Sequence, residues 1–387
     1  MFASQRPPYP MFLGGAARCA HRILDALSKQ SGNQCVAVGS SDYAVTPWSI
    51  PETSEFNTLG VRTIESNDDV TTIDCGYGVS LVPNFMATLG KRIDAFRPDI
   101  VWAQLEGAKA ILELARSKGS RTLFYVHDAE FDPAELRAIA GLDGDIVCSS
   151  KFLAGKVRKV TGSKASVVYP CPTVDFGVTG DPAGYLTMIN PHRVKGVDTF
   201  FEIASKLPAE RFLIVESWKL ADSDIASLHA RLAETPNVRF ERRVSDMRQV
   251  YGRTKLLLVP SIWEEGFGMV AVEAQSCGIP VIASARGGLP ESVGDGGLLI
   301  DDYKNADAWI DAIRGTVTDK RAYTSAGARA RRHAAKGEFS ASVSARRFQE
   351  VCTAPVRTPR LGLLNFPAAI KRFALPIFER LARRYPR

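Results

Sequence analysis

The chain has no C-x-x-C pair: its seven cysteines, Cys19, Cys35, Cys75, Cys148, Cys171, Cys277 and Cys352, are scattered and odd in number. That argues against a disulfide framework or a zinc site and fits a reducing cytosol. Also missing is any uninterrupted apolar run long enough to span a bilayer, and no charged-then-apolar stretch opens the sequence. A cytoplasmic protein is the expectation, with peripheral attachment to a membrane left open. No G-x-G-x-x-G follows an early strand, which weakens a nicotinamide dehydrogenase. The body lacks a charge surplus as well. The formal net charge of +7 resides in residues 357–387, where Arg357, Arg360, Lys371, Arg372, Arg380, Arg383, Arg384 and Arg387 face the single acid Glu379. The remainder is near neutral and offers no basic surface for nucleic acid.

What is present is an α/β rhythm. At 387 residues the chain exceeds one ordinary core and predicts two domains. Hydrophobic content of 45% with 24% charge is that of a soluble globular protein. Short apolar runs alternate with helix-periodic segments, the pattern of doubly wound α/β domains. Strands are expected at 34–39, 99–104, 121–126, 145–150 and 165–170, with helices at 16–30, 80–96, 107–118, 133–141 and 150–161. The segment CPTVDFGVTGDPAG, rich in Pro, Gly and Asp, marks a domain boundary. Strands resume at 185–190, 211–216, 237–240, 255–260, 280–284 and 297–300. Helices are expected at 196–207, 222–234, 268–277, 305–315, 320–335 and 339–352. The expected organisation is a Rossmann-like acceptor domain at 1–176, a Rossmann-like donor domain at 177–337, a helix at 338–354 returning to the first domain, and a basic tail at 355–387. Only MFAS precedes QRPPYP, so the first strand is unusually short or the chain as given begins inside it.

The densest signal is KLLLVP followed by SIWEEGFGMVAVEAQSCGIPVIASARGGLPE. It reads as a buried strand, a Gly-containing loop, a helix, a second strand and a second Gly-rich loop. Gly266 and Gly268 let the backbone turn tightly and bring its N–H groups to a ligand where a helix begins. Glu265 in the loop and Glu273 on the helix can accept hydrogen bonds from sugar and ribose hydroxyls. Together these features suit a sugar nucleotide.

The motif Glu265–x7–Glu273 with its GFG, followed by GIPVIAS and GGLPE, resembles the retaining glycosyltransferases of family 4 (glycosyltransferase group 1). The resemblance implies the GT-B fold, two Rossmann-like domains facing across a cleft, and hexosyl transfer from a nucleoside diphosphate sugar. It gives Glu265 the donor-sugar hydroxyls, Glu273 the ribose, and the main chain of Gly266, Phe267, Gly268 and Met269 the sugar and diphosphate. Gly14 and Gly15, opening an N-terminal helix, also meet the diphosphate in such enzymes. His127, ending the strand RTLFYV, corresponds to a His near the reacting centre, where it would hydrogen-bond the sugar or its developing charge. The segment INPHRVKG matches at Lys195, but the Arg usual five residues earlier is here Asn190. Arg193 is nearby, at a different spacing. NVRFERRVSDM resembles the base-pocket segment, with Arg243 and Val244 at the nucleobase edge. VESW stands where a Gly-containing loop is more usual. No cofactor is implied, and the resembled enzymes usually need no metal. Asp143-Gly144-Asp145 imitates a D-x-D metal motif but reads as a turn.

The acceptor, a glycan, lipid-linked or small molecule, would enter from the first domain, and polysaccharide or cell-surface glycan assembly is the natural setting. The tail places Ile370, Phe373, Ile377, Leu381 and Tyr385 on one helical face among basic residues. That suits an anionic membrane surface, or equally a helix packed on the first domain; Pro376 interrupts it. Two competitors stand beside the transferase. One is a catalytically degenerate nucleotide-sugar-binding partner, favoured by Asn190 and VESW; the other is a glycosidase using Glu265 and Glu273.

Overall fold

A computed structural model of the chain describes residues 1–12, 14–43, 60–67, 70–172, 176–217, 220–242, 244 and 246–355. Arg243 and the basic tail at 357–387 lie outside the described residues. In the N-terminal half the strands are β1 (Phe2–Ser4), β2 (Val36–Ser40), β3 (Thr63–Asn67), β4 (Val70–Asp74), β5 (Gly78–Val82), β6 (Ile100–Gln104), β7 (Arg121–Val126), β8 (Asp145–Cys148) and β9 (Ser166–Val167). They form one nine-stranded sheet in the order β3-β4-β5-β2-β1-β6-β7-β8-β9. Pairing is parallel except where β4 joins β3 and β5 antiparallel. The second half contributes β10 (Tyr185–Ile189), β11 (Phe212–Val215), β12 (Val238–Glu241), β13 (Thr254–Val259), β14 (Val281–Ser284) and β15 (Gly297–Ile300). These make a six-stranded sheet, β12-β11-β10-β13-β14-β15, parallel throughout.

Both sheets are covered on two faces, which is why their strands read as unbroken apolar runs. In the first, Phe2, Trp102, Tyr125 and Val147 pack under helix Gly15–Ser28. Ala3, Val101 and Ala103 of the opposite face pack with Leu89 and Ile111. In the second, Leu186, Phe212 and Leu256 meet Phe200 and Trp309 on one side, while Leu257, Val281 and Ala283 meet Tyr251 and Ala274 on the other.

The chain order reverses between β1 and β6 in one sheet and between β10 and β13 in the other. Such switch points open a crevice beyond the strand C-termini. Helix Ala341–Thr353 follows the second sheet in sequence but packs on the first, with Phe348 against Trp102 at 4.6 Å between ring centroids. Arg121 fixes its C-terminal end by donating from Nη1 to the carbonyls of Cys352 and Ala354, each at 2.7 Å. A cation at a helix C-terminus satisfies orphan carbonyls and complements the helix dipole.

The expected helix at 80–96 is corrected. Residues Gly78–Val82 form β5, and the helix occupies only Phe85–Phe96. Val79 and Leu81 alternate inward as a strand requires, and Pro83 bars its preceding residue from the helical region. Strands β3 and β4 were not anticipated; β3 is exposed along its whole length, so it carries no apolar alternation. All seven cysteines are free thiols. Among the described residues no helix is long and apolar enough to cross a membrane.

Candidate functional site

A cleft of about 1020 Å³ opens between the C-terminal edges of the two sheets. Its C-terminal wall is built by the loops after β10 and β13. Strand β10 is followed by Asn190, whose backbone is left-handed (φ 70°), and a single 3₁₀ turn carries Lys195 back toward the cleft. Gly196 follows with φ 82°, and a Cβ there would fall 1.8 Å from the carbonyl oxygen of Pro260. Only glycine lets these two loops touch, and their contact sets Lys195 beside Glu265.

The pair is tight and largely shielded. Lys195 Nζ donates to both carboxylate oxygens of Glu265, at 2.7 and 2.8 Å, with side-chain exposures of 14% and 11%. Ser261 Oγ donates to Glu265 Oε1 at 2.5 Å, and the Trp263 ring lies 4.7 Å from the ammonium. Glu265 is thus oriented from two directions before any ligand arrives. Gly287 and Gly288 press on the same loop, and the Gly288 amide donates to the Glu265 carbonyl at 2.7 Å.

Helix Met269–Ser276 starts at the cleft, with Gly268 at its N-cap (φ 94°) and no capping side chain. Phe267 turns its ring into a cluster with Tyr169 and Phe339, leaving its main chain at the cleft wall. One turn on, Glu273 accepts a hydrogen bond from Tyr251 Oη at 2.9 Å. Across the cleft, helix Gly15–Ser28 also begins without a capping side chain. A Cβ on Gly15 would lie 3.4 Å from Met269 Sδ, so the two helix starts face each other. The first N–H groups of a helix have no partner within it, and their dipoles favour an anion.

His127 immediately follows β7 on the N-terminal wall. Its Nε2 lies 2.9 Å from Gln104 Oε1, and its ring packs 4.1 Å from that of Tyr125. Burial holds its pKa down to about 3, so the imidazole is neutral at physiological pH. The loop that carries Glu265 reaches this residue directly: a Cβ on Gly266 would sit 1.8 Å from the His127 carbonyl oxygen. Two further links tie the walls together. Glu291 accepts from the Lys151 and Phe152 amides, each at 2.8 Å, and from Tyr169 Oη at 2.9 Å. Lys156 pairs with Glu264 at 2.7 Å.

His127, Gly14, Gly15, Asn190, Lys195, Glu265, Gly266, Phe267, Gly268, Met269, Glu273 and Val244 all line the one cleft. Arg193 does not; it is exposed on the 3₁₀ turn and is not among the residues that line the cleft. Glu216 of the VESW segment is wholly buried, accepting from the Leu220 amide at 3.1 Å and pairing with Arg242 Nε at 2.8 Å. It anchors the loop after β11 beside Val244. Asp143 and Asp145 sit at the opposite, N-terminal end of β8, held by Arg116 and Arg121. The cleft also contains residues that the motifs did not single out: Arg6, Arg18, Ser261 and Trp263. Arg18 stands one turn behind the Gly pair, and Glu291 closes GGLPE, so proximity to the motifs was the available signal.

Residues 182–333 match the family model described as Glycosyl transferases group 1. Among curated proteins, the D-inositol 3-phosphate glycosyltransferase of Mycobacterium sp. (strain JLS) is 35% identical over 188 residues, which is 41% of this chain and 42% of that protein. Its namesake from Mycolicibacterium smegmatis is 38% identical over 148 residues, 36% of this chain and 33% of that one. The chain therefore spans less than half the length of these relatives. Of solved structures, Anabaena HepE in complex with UDP superposes with a TM-score of 0.73 at 17% identity, covering 92% of this chain and 99% of that one. Sucrose-phosphate synthase from Thermosynechococcus elongatus gives 0.69 at 18% identity, covering 90% and 97%. At these identities the likeness speaks to architecture, and the architecture is GT-B.

Proposed function

We propose that the chain is a retaining glycosyltransferase that moves a hexosyl unit from a nucleoside diphosphate sugar to a glycan, lipid-linked or small-molecule acceptor. The observation that carries this reading is the convergence, in one cleft, of Lys195, Glu265, Glu273 and two uncapped helix starts. The family match over the second half and HepE's complex with UDP support the donor class.

In this reading Glu273 takes the ribose and the main chain at 266–269 the diphosphate. Lys195 and the helix dipoles stabilise the negative charge that grows on the leaving phosphate as the anomeric C–O bond breaks. That assignment calls for no bound metal. Glu265 and His127 orient the sugar hydroxyls. The acceptor oxygen attacks the face the diphosphate leaves, and a departing phosphate oxygen takes its proton, which retains configuration. With its pKa held down, His127 acts as a hydrogen-bonding group and not as a cation. The enzyme works in the cytoplasm, and the tail at 357–387 draws it to anionic membrane surfaces. Truncation after Pro355 should abolish sedimentation with anionic liposomes; unchanged sedimentation would remove that part of the reading.

Release of nucleoside diphosphate from a panel of UDP-, GDP- and ADP-sugars, with crude acceptor extracts, tests the activity. One donor should turn over, and Glu265→Gln should slow it by about 100-fold or more, as loss of a transition-state contact does. Nucleotide binding without turnover of any donor would instead favour a non-catalytic binding partner.

A further inference from the structure

Two serines follow β8 where it ends at the cleft, and their hydroxyls are treated differently. Ser150 is fully buried, and its Oγ accepts from the Leu153 amide at 3.1 Å as the N-cap of helix Lys151–Thr161. Ser149 donates its amide to the Val126 carbonyl at 3.0 Å, continuing the ladder between β7 and β8. Its hydroxyl, however, has no hydrogen-bond partner among the described residues. The residue is 1% exposed and lines the cleft. A buried hydroxyl without a partner destabilises the fold, whereas alanine in its place would not. A side chain that costs stability at the wall of a cleft is explained by a ligand that completes its hydrogen bond.

Strand order places this hydroxyl relative to a bound donor. From β1 the first sheet runs through β6 and β7 to β8. Strand β1 leads to Gly14 and the helix start at Gly15, β7 leads to His127, and β8 leads to Ser149. Neighbouring strands lie about 4.8 Å apart, so Ser149 stands one strand spacing beyond His127, on the side away from that helix start. The Gly266 loop covers the same ground: a Cβ there would meet the His127 carbonyl oxygen and lie 3.5 Å from Leu153 Cδ1. A pyranose whose diphosphate sits at the helix starts, and whose body lies between Glu265 and His127, turns its far edge toward Ser149.

We propose that Ser149 hydrogen-bonds a hydroxyl at C4 or C6 of the donor hexose, the edge remote from the anomeric carbon, and makes the enzyme select that hexose over the deoxy sugar lacking the group. The proposal rests on the nucleotide-sugar reading above and deepens it. A serine hydroxyl both donates and accepts, so it pairs with a sugar hydroxyl in either sense. Because Ser149 is withdrawn from water, a hydrogen or methyl in place of that sugar hydroxyl leaves Oγ unpaired and no solvent restores the bond. A site built to bond a substrate hydroxyl rejects the analogue lacking it far more strongly than an apolar pocket separates isosteres.

Steady-state kinetics on the full chain tests this with the nucleotide hexose that turns over in the donor panel and its 4-deoxy and 6-deoxy analogues. The wild type should prefer the parent donor to one of the analogues by about 100-fold or more in kcat/KM. Ser149→Ala should lower kcat/KM for the parent by about 10- to 100-fold and leave that analogue unchanged, so the preference collapses. The variant should melt no lower than wild type, since the hydroxyl removed has no partner in the protein; a structural role would instead lower the Tm and slow both donors alike. A wild type that uses parent and both analogues equally, or a Ser149→Ala protein that keeps the preference, would overturn the proposal while leaving the nucleotide-sugar reading intact. An equal loss on parent and analogue would overturn it as well. A wild type that turns over no nucleotide sugar removes both readings.

Discussion

Gly266 comes so near His127 that one methyl group can probe the geometry of the site. A Cβ at this position would lie 1.8 Å from the His127 carbonyl oxygen, whereas real Cβ contacts do not fall below 3.0 Å. The loop and the end of β7 must then part by at least 1.2 Å, the difference between those two distances. The neighbouring atom is main chain, so no side-chain rotation relieves the clash. Glu265 precedes Gly266, and its own carbonyl is pinned by the Gly288 amide, so the displacement passes directly into the spacing between Glu265 and His127. Misplacement of reacting groups by about 1 Å costs on the order of 100-fold in rate. Overpacking of this kind typically destabilises by about 1–3 kcal/mol, leaving a domain folded. Gly266→Ala should therefore melt cooperatively, a few degrees lower, yet release diphosphate from its donor at about one hundredth of the wild-type rate. A folded variant with the wild-type rate would refute the claim that this contact sets the catalytic spacing.

Glu291 satisfies the first two amides of helix Lys151–Thr161, while Ser150 Oγ caps the Leu153 amide at 3.1 Å. Glu291→Ala should cost about 1–3 kcal/mol in chemical denaturation, in line with loss of charge-assisted capping bonds. Phe348→Ala should cost about 3–5 kcal/mol, because the ring is buried against Trp102 in the N-terminal core; a loss below 1 kcal/mol would mean the returning helix contributes little there. Burial depresses His127 to about 3 and His21 to about 4. The unfolded chain takes up protons near pH 6.5 while the folded one does not, so stability is full above that pH and falls as pH drops toward 4. Melting curves of His127→Gln should show a shallower fall over that window than wild type; identical slopes would show that His127 carries no such penalty.

The central strands were readable because a parallel strand covered on both faces is a short apolar run, as in TKLLLV at β13. The antiparallel edge was not, since β3 is solvated on every residue and β5 stops at a proline that resembles a helix start. In the site, Glu265, Glu273 and Lys195 were found through spacing around glycines, whose close contacts the structure then explains. Contacts between the two halves had no such signal. Glu291 caps a helix roughly 140 residues away in sequence. Arg193 and Lys195 share one 3₁₀ turn, yet only Lys195 lines the cleft, a difference that spacing in the sequence does not display.

Thermal stabilisation of the purified protein by UDP, GDP and ADP and their hexose conjugates tests most directly whether the cleft is a nucleotide-sugar site. One diphosphate should raise the Tm by several degrees at about 100 times its Kd, its hexose conjugate should raise it further, and Lys195→Ala should lose most of both shifts. A Tm unmoved by every nucleotide at millimolar concentration would contradict the account.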